Sequence, residues 1–381
     1  MVDEKKICTR CVMDLTVPDI HFDKDGICNY CKIQEHLELD YPRGEKGKQD
    51  FEKLIDEIKQ KGKNKKYDCV VGLSGGTDST YLLLLCKQYG LRPLAVTVDN
   101  GWHTEIAVNN IKNALDILGY DLETYVINWN EMKAIHLAFM RAALPWPDGS
   151  TDIAIREGLY RMASKHGIKY IFNGHDFRTE GRQPDEWTWT DGKMIKHICG
   201  QNNIKLKSFP NQSIFDLVYW GFVSGIKDIR PFWYLPYSKI EARKIIEKEL
   251  GWKYYGGHHH ENVFTKYIIG VWLPQKFGID KRKVTYSAQI RTGELNREEI
   301  MKELEHLPYP EKQMADDREY VIKKLGITEN EMQRIWNLPN KKFTDYPSYY
   351  PFYMKTKKLA NFAFRYILNY KPVMSYGIDS K

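Results

Sequence analysis

The stretch Cys69-Val70-Val71-Gly72-Leu73-Ser74-Gly75-Gly76-Thr77-Asp78-Ser79 runs into Thr80 and the apolar segment Tyr81-Leu82-Leu83-Leu84-Leu85-Cys86. It reads as a buried strand, a glycine turn and the first turn of a helix. Such a turn aims several backbone N–H groups at one spot, backed by the positive end of the helix dipole, and that spot attracts phosphate. No Gly-Lys-Ser/Thr follows the glycines, so the pattern is not the common ATPase loop. Gly75 and Gly76 let the backbone approach phosphate oxygens closely. The hydroxyls of Ser74, Thr77 and Ser79 are candidate phosphate donors. Asp78, an acid at an anion site, either caps the helix or helps to hold a magnesium ion bridging phosphate oxygens.

An α/β rhythm continues downstream. Strands are expected at 67–73, 93–98, 122–127 and 169–172, with helices at 78–89, 104–118, 130–143 and 152–166. On the 104–118 helix, Ile106, Asn110, Ile111, Leu115 and Leu118 share one side. Alternation of this kind implies right-handed crossovers and a doubly wound parallel sheet, whose ligands sit beyond the carboxyl ends of the strands. Two further strand ends are therefore candidates. Asp99 and Asn100 close the second strand before Gly101, and Val98-Asp99-Asn100-Gly101 resembles the VDNG segment of the GMP-synthetase branch, which implies that Asp99 or Asn100 meets a base or ribose edge. Asn173, Gly174 and His175 close the fourth, with Glu180 shortly after as a possible acceptor or magnesium contact.

Cys8-x-x-Cys11 and Cys28-x-x-Cys31 form two pairs sixteen residues apart, with the turn Asp25-Gly26 before the second. Four thiolates at this spacing read as a structural zinc ribbon or knuckle, with an iron–sulfur cluster as the rival. Cys69, Cys86 and Cys199 lie apart from this pattern, the first two in apolar runs that read as core. The expected organisation is a zinc module over 1–40, a nucleotide-binding α/β domain over 41–236 and a mainly helical region over 237–381. A linker with one amphipathic helix carries Phe51, Leu54, Ile55 and Ile58. Ser238 is expected to cap a helix over 239–250 with Ile240, Ala242, Ile245 and Ile246 as its apolar face. The segment Gly256-Gly257-His258-His259-His260-Glu261 reads as a polar substrate loop, since adjacent histidines point in different directions and rarely share one ion. Helices are expected near 296–305 and 328–338. The aromatic, basic stretch 340–381 carries no assignable task.

With 42% hydrophobic and 28% charged residues in 381, the chain has the composition of a globular protein. No apolar run approaches a bilayer span, and the first residues lack a signal-peptide core, so a cytoplasmic location is expected. A net charge of +7 suits anionic substrates such as nucleotides, although RNA would also be attracted.

The six residues Ser74–Ser79 resemble the SGGxDS loop of the ATP pyrophosphatases, the superfamily of GMP, asparagine and argininosuccinate synthetases and of tRNA-thiolating enzymes. That resemblance implies ATP cleavage between the α and β phosphates. The order of zinc knuckle, SGGTDS loop, Gly-Trp-Lys-Tyr-Tyr-Gly-Gly-His-His-His-Glu at 251–261 and Phe277-Gly278-Ile279-Asp280-Lys281-Arg282 resembles the N-acetyl sugar amidotransferases of bacterial surface-polysaccharide and flagellin-sugar biosynthesis. This resemblance spans nearly the whole chain. It implies conversion of a sugar acetamido group to an acetamidino group, on a nucleotide-linked or nonulosonic amino sugar, with ATP and Mg2+. His258, His259, Glu261, Lys266, Lys281 and Arg282 would then meet the substrate. Asp78, His175 and Glu180 would stand at the reacting groups. The chain has neither an N-terminal cysteine nucleophile nor a Gly-x-Cys-x-Gly elbow, so ammonia is expected from a separate glutaminase subunit with a barrel-type companion, or free from solution. The competing resemblance, to tRNA thiolation, is opposed by the lack of a CxxC after residue 31; no membrane or nucleic-acid partner is expected.

Overall fold

The computed structural model describes residues 6–366. Five strands, β1 (Cys69–Gly72), β2 (Pro93–Asp99), β3 (Leu122–Val126), β4 (Tyr170–Phe172) and β5 (Lys227–Ile229), form one sheet in the order β3-β2-β1-β4-β5. All four pairings are parallel. α1 (Asn29–Asp40) and α2 (Glu45–Gly62) precede β1; α3 (Thr77–Gln88) joins β1 to β2, α4 (Glu105–Leu118) joins β2 to β3, and α5 (Trp129–Arg141) and α6 (Gly149–Lys165) join β3 to β4.

The two faces of the sheet follow the period-two pattern of its central strands. Cys69, Val71, Ala95 and Phe172 pack with Phe51, Ile55 and Ile58 of α2 and with Leu82 to Cys86 of α3. Val70, Leu94, Val96 and Ile171 pack with Leu159 and Ala163 of α6. The expected doubly wound sheet is thus present. The chain leaves β1 towards β2 on one side and reaches β4 on the other, so the switch point lies beside the end of β1, where Ser74–Ser79 sit.

Some local expectations are corrected. Ile106 of α4 is 41% exposed while Asn110 and Ile111 are buried, because the helix presents its next stripe inwards. Ile240 is 51% exposed beside the cavity described below, while Ala242, Ile246 and Leu250 form the buried side of the Lys239–Leu250 helix and Ile245 packs half-buried against the same core. Ser238 does cap that helix, accepting from the Glu241 N–H at 3.4 Å. β5 and the Arg282–Arg291 and Glu311–Leu325 helices had no counterpart in the sequence reading. Of the 340–381 stretch, residues 367–381 lie outside the described residues. No helix among those described is long and apolar enough to cross a membrane.

The C-terminal region does not stand apart from the sheet. The Lys239–Leu250 helix packs on α3 and α4. Beyond it, Trp252 Nε1 donates to the Gly75 carbonyl at 2.9 Å, and Asn110 of α4 donates to the Lys253 carbonyl at 2.9 Å. Residues 261–263 then run beside the exit of β2: the Thr104 N–H donates to the Glu261 carbonyl and the Val263 N–H to the Trp102 carbonyl. These contacts fold the histidine segment over the glycine turn.

Candidate functional site

The glycine turn is shaped by its own hydroxyls. The Ser74 N–H donates to Ser79 Oγ at 3.2 Å, the Gly76 N–H to Ser74 Oγ at 3.2 Å, and Ser79 Oγ to the Gly76 carbonyl at 3.3 Å. Gly75 sits at φ +79°, where a Cβ would lie 2.4 Å from the Ala107 carbonyl oxygen, so both conformation and space require glycine. Helix α3 starts at Thr77 with Gly76 at its N-cap and no capping side chain. Its first N–H groups are therefore left for an external anion. Gly174, at the end of β4, fits against the helix start: a Cβ there would stand 3.1 Å from Asp78 Cβ and 3.2 Å from the Ser79 nitrogen.

Asp78 does not cap the helix. Its Oδ2 accepts from Lys239 Nζ at 2.8 Å and its Oδ1 accepts from the Tyr237 hydroxyl. Lys239 Nζ also meets His258 Nδ1 at 3.3 Å. Burial opposes the lysine charge, but Asp78 and Glu180 together outweigh it and hold the lysine protonated. His258 is driven well below the usual imidazole range by burial and by the cations His259 and Lys239, so its Nδ1 is free to accept from the ammonium. The three histidines diverge as their adjacency requires. His259 faces Glu261 at 3.5 Å, and His260 packs edge-on against Tyr309. Burial opposes charge on both His259 and Glu261, yet the contact raises the first and lowers the second. His259 adopts φ +61°, a backbone strain of the kind that clusters at functional sites. Glu261 and Tyr255 close over the loop: a methyl group on Gly76 would stand 3.2 Å from the Tyr255 hydroxyl and 3.6 Å from Glu261 Oε1.

Across the switch point, His175 Nε2 lies 3.1 Å from Glu180, and the Arg230 guanidinium reaches His175 Nδ1. Burial, then the charges of Arg230 and His259, push His175 well below its ordinary value, while burial and Asp78 push the Glu180 carboxyl up. A neutral imidazole accepting at Nδ1 carries its proton on Nε2, aimed at Glu180.

The neighbouring Asp176 is fully buried and neither of its carboxylate oxygens has a hydrogen-bond partner. Burial raises its pKa from 3.8 to about 7 despite Arg178. The unfolded chain releases this proton near 3.8 and the folded protein near 7, so its stabilising contribution is complete below about 3.8 and lost as pH rises through about 7. Asp176→Asn is accordingly expected to raise the melting temperature at pH 8 by several degrees, with the gap closing towards pH 4. Thermal unfolding at the two pH values checks this, and equal melting temperatures at pH 8 would contradict it.

The loop, His175, Glu180 and the 258–261 segment line one cavity of about 1520 Å³. Asn100 lines it too, but its side chain is tied to the Trp102 N–H at 3.1 Å and to Thr151 at 3.4 Å. Asp99 is not part of the lining; it accepts from the Gly101 N–H at 2.8 Å and closes the turn. All three basic candidates reach the cavity. Lys266 is paired with Asp317 at 2.8 Å, and Arg282 with Asp280 at 2.7 Å. Lys281 instead lies 3.8 Å above the Trp146 ring, with its pKa lowered to about 8 by burial against the opposing charges of Asp152, Glu180 and Asp148. Lys239, Arg230, Tyr255 and Asp152 are lining residues that sequence reasoning missed, as it missed Tyr237, which stands behind the lining on Asp78. Only Lys239, next to the helix-capping Ser238, had a local signal.

The four N-terminal cysteines are fully buried, with one ligand atom from each within 4.8 Å of all the others. Sγ separations of 3.8 Å (Cys8–Cys31), 3.7 Å (Cys11–Cys28) and 3.6 Å (Cys28–Cys31) match the edge of about 3.8 Å of a tetrahedron with metal–sulfur bonds near 2.3 Å. A cubane cluster would hold each thiolate on a different iron and spread them further. The donors thus fit one tetrahedral ion with no open position. No other cluster among the described residues has three such ligands close enough for one ion.

Residues 261–360 match a family model described as "LPS biosynthesis protein WbpG-like, C-terminal domain". An uncharacterized protein of Methanocaldococcus jannaschii is 27% identical over 312 residues, covering 80% of this chain and 94% of its own. An NMN synthetase structure from Francisella tularensis aligns with 77% of this chain and 98% of its own, at 15% identity and a TM-score of 0.31. The U34-tRNA thiolase NcsA of Methanococcus maripaludis, solved with its [4Fe-4S] cluster, aligns with 90% of this chain and 91% of its own, at 12% identity and a TM-score of 0.32. Both structural superpositions are loose.

Proposed function

We propose that this chain is an ATP-dependent, AMP-forming amidotransferase that converts an acetamido group of an activated amino sugar into an acetamidino group during surface-glycan assembly. The observation that carries the reading is the SGGTDS helix start, with Asp78 and Lys239 beside it, opening into one cavity of about 1520 Å³, large enough for a nucleotide and a second substrate together. The match of residues 261–360 to an LPS-biosynthesis family supports a carbohydrate acceptor, since that segment includes Glu261, Lys266, Lys281 and Arg282 of the same cavity.

The chemistry follows from the difficulty of the reaction. An amide oxygen is a poor leaving group. Attack of that oxygen on the α-phosphorus expels pyrophosphate and leaves an O-adenylyl imidate. Ammonia then adds to the imidate carbon, AMP departs with the oxygen, one proton is released, and the amidinium remains. The N-terminus of α3 would hold the leaving pyrophosphate, and Lys239 would balance charge growing on it. Asp78, Glu180 and Glu261 are the carboxylates placed to reach an ATP-bound Mg2+, which needs only one or two protein ligands beside phosphate oxygens. The His258–Glu261 segment would shield the imidate from water, which would only regenerate the amide. Lys281, with no carboxylate partner among the described residues, is the best-placed contact for an acceptor anion. Zinc is the ion proposed for the four thiolates, in a structural role. Ammonia is proposed to come from a separate glutaminase subunit.

The competing thiolation chemistry calls for a catalytic cysteine pair or a cluster site after the loop. All seven cysteines of the chain are buried, four in the metal centre and Cys69, Cys86 and Cys199 in the apolar core. Incubating the protein with ATP, ammonia and a panel of nucleotide-linked N-acetylated sugars is expected to give AMP and pyrophosphate with one of them. AMP release that depends on tRNA and on none of the sugars would refute the proposal.

A further inference from the structure

The Arg282–Arg291 helix has two working faces. Arg282, Thr285, Tyr286 and Gln289 line the cavity. Val284, Ser287 and Ala288 are buried on the other side, where Val284 packs in the cysteine module's core, Ser287 Oγ accepts from the Val12 N–H at 3.2 Å, and the Ala288 carbonyl accepts from Gln34 at 3.3 Å. The spacing is that of opposite stripes on one helix. Its last residue, Arg291, extends the second stripe into the metal centre. There Nε lies 3.2 Å from Cys31 Sγ, and one terminal nitrogen lies 3.5 Å from Cys11 Sγ and 3.2 Å from Met13 Sδ. The other terminal nitrogen donates to Gln34 Oε1 at 3.0 Å. Six residues on, Arg297 donates to the carbonyls of Cys11 at 3.0 Å and Cys8 at 2.9 Å.

Charge gives this arrangement a purpose. Four thiolates around one divalent ion leave a formal charge of about −2 in a buried site. An uncompensated charge of that size is costly away from water. Backbone N–H groups of Arg10 and Cys28 reach Cys8 Sγ at 3.4 and 3.2 Å, which serves one ligand. The guanidinium of Arg291 serves two others. Of the other nearby cations, Arg10 pairs with Glu35 and Lys283 with Asp14, while Arg297 is bound to the carbonyls of Cys8 and Cys11 and not to a thiolate.

We propose that Arg291 is the internal counter-cation of the four-thiolate centre, and that through it metal binding fixes the helix forming one wall of the cavity. Arg291 is then a positioning residue, and the cysteine module a metal-dependent brace for the acceptor side of the site. This does not depend on which reaction the cavity performs.

The test uses the full chain and needs no substrate. Arg291→Gln is expected to release zinc to an excess of chelator at least about tenfold faster than the parent, as for other outer-shell partners of metal ligands, with Arg291→Lys intermediate. Cobalt-substituted Arg291→Gln should show shifted thiolate-to-metal absorption. In the unaltered protein, removing the metal should speed amide exchange across 282–291 while the core of α3 keeps its protection. Zinc release and cobalt bands equal to those of the parent would overturn the counter-cation assignment. Unchanged exchange at 282–291 after metal removal would overturn the brace, and that measurement remains decisive even if Arg291→Gln fails to fold.

Discussion

Asp78→Ala is expected to abolish AMP formation, lowering the rate by about a thousandfold or more, with zinc content unchanged. Asp78 receives two donors, Lys239 Nζ at 2.8 Å and the Tyr237 hydroxyl, and it stands in the first turn of the helix that would hold the pyrophosphate. Its loss removes a carboxylate available to Mg2+ and also leaves Lys239 without its nearest counter-charge. Asp78→Asn separates charge from packing. The amide oxygen can still accept from Tyr237 and preserve the packing, but it cannot balance the ammonium or bind the cation as a carboxylate does. Both variants should fail to release pyrophosphate and both leave the ammonium unbalanced, but the alanine variant should lose more thermal stability because it also loses the Tyr237 contact. The metal ligands lie on other elements, so their occupancy serves as the internal control. Pyrophosphate release within tenfold of the parent would remove Asp78 from the site.

The features that sequence reasoning reached share a physical property: they are local. The Ser74–Ser79 turn depends on glycines that must occupy their positions, and the four cysteines depend on spacing alone. The doubly wound sheet followed from apolar runs alternating with helical periods. What it missed depends on long-range geometry. β5 is three residues long and pairs only at the sheet edge, too little for a period to register. Ile240 fits an apolar helical stripe, but its face opens on the cavity instead of the core. Asp99 occupies a strand end, as expected, yet its carboxylate is used by the Gly101 N–H. Among three similar cations, only burial and pairing distinguish Lys281 from Lys266 and Arg282. Arg291 and Cys31 are brought together across 260 residues of sequence.

Lys239 is the missed residue that sits closest to Asp78, and its replacement carries the second large expectation. Lys239→Met should lower kcat about 10²–10³-fold with a smaller change in the Michaelis constant for ATP. The reasoning rests on position. The ammonium is held between Asp78 and His258, beside the helix N-terminus, where negative charge would grow on the departing pyrophosphate. A cation held there in advance stabilises that charge without reorganising, so its contribution falls on the transition state more than on bound ATP. Lys239→Arg keeps the charge but replaces a compact ammonium by a wider planar group, so it should recover activity only in part. A purely structural lysine, needed only to neutralise Asp78, predicts something different: Lys239→Met would lower thermal stability and leave kcat within tenfold of the parent in the folded protein, and Lys239→Arg would restore both in full. The catalytic reading predicts a kcat loss that persists well below the variant's melting temperature. Pyrophosphate release by folded Lys239→Met within tenfold of the parent would therefore return Lys239 to a supporting role and leave the helix N-terminus as the main anion-binding element.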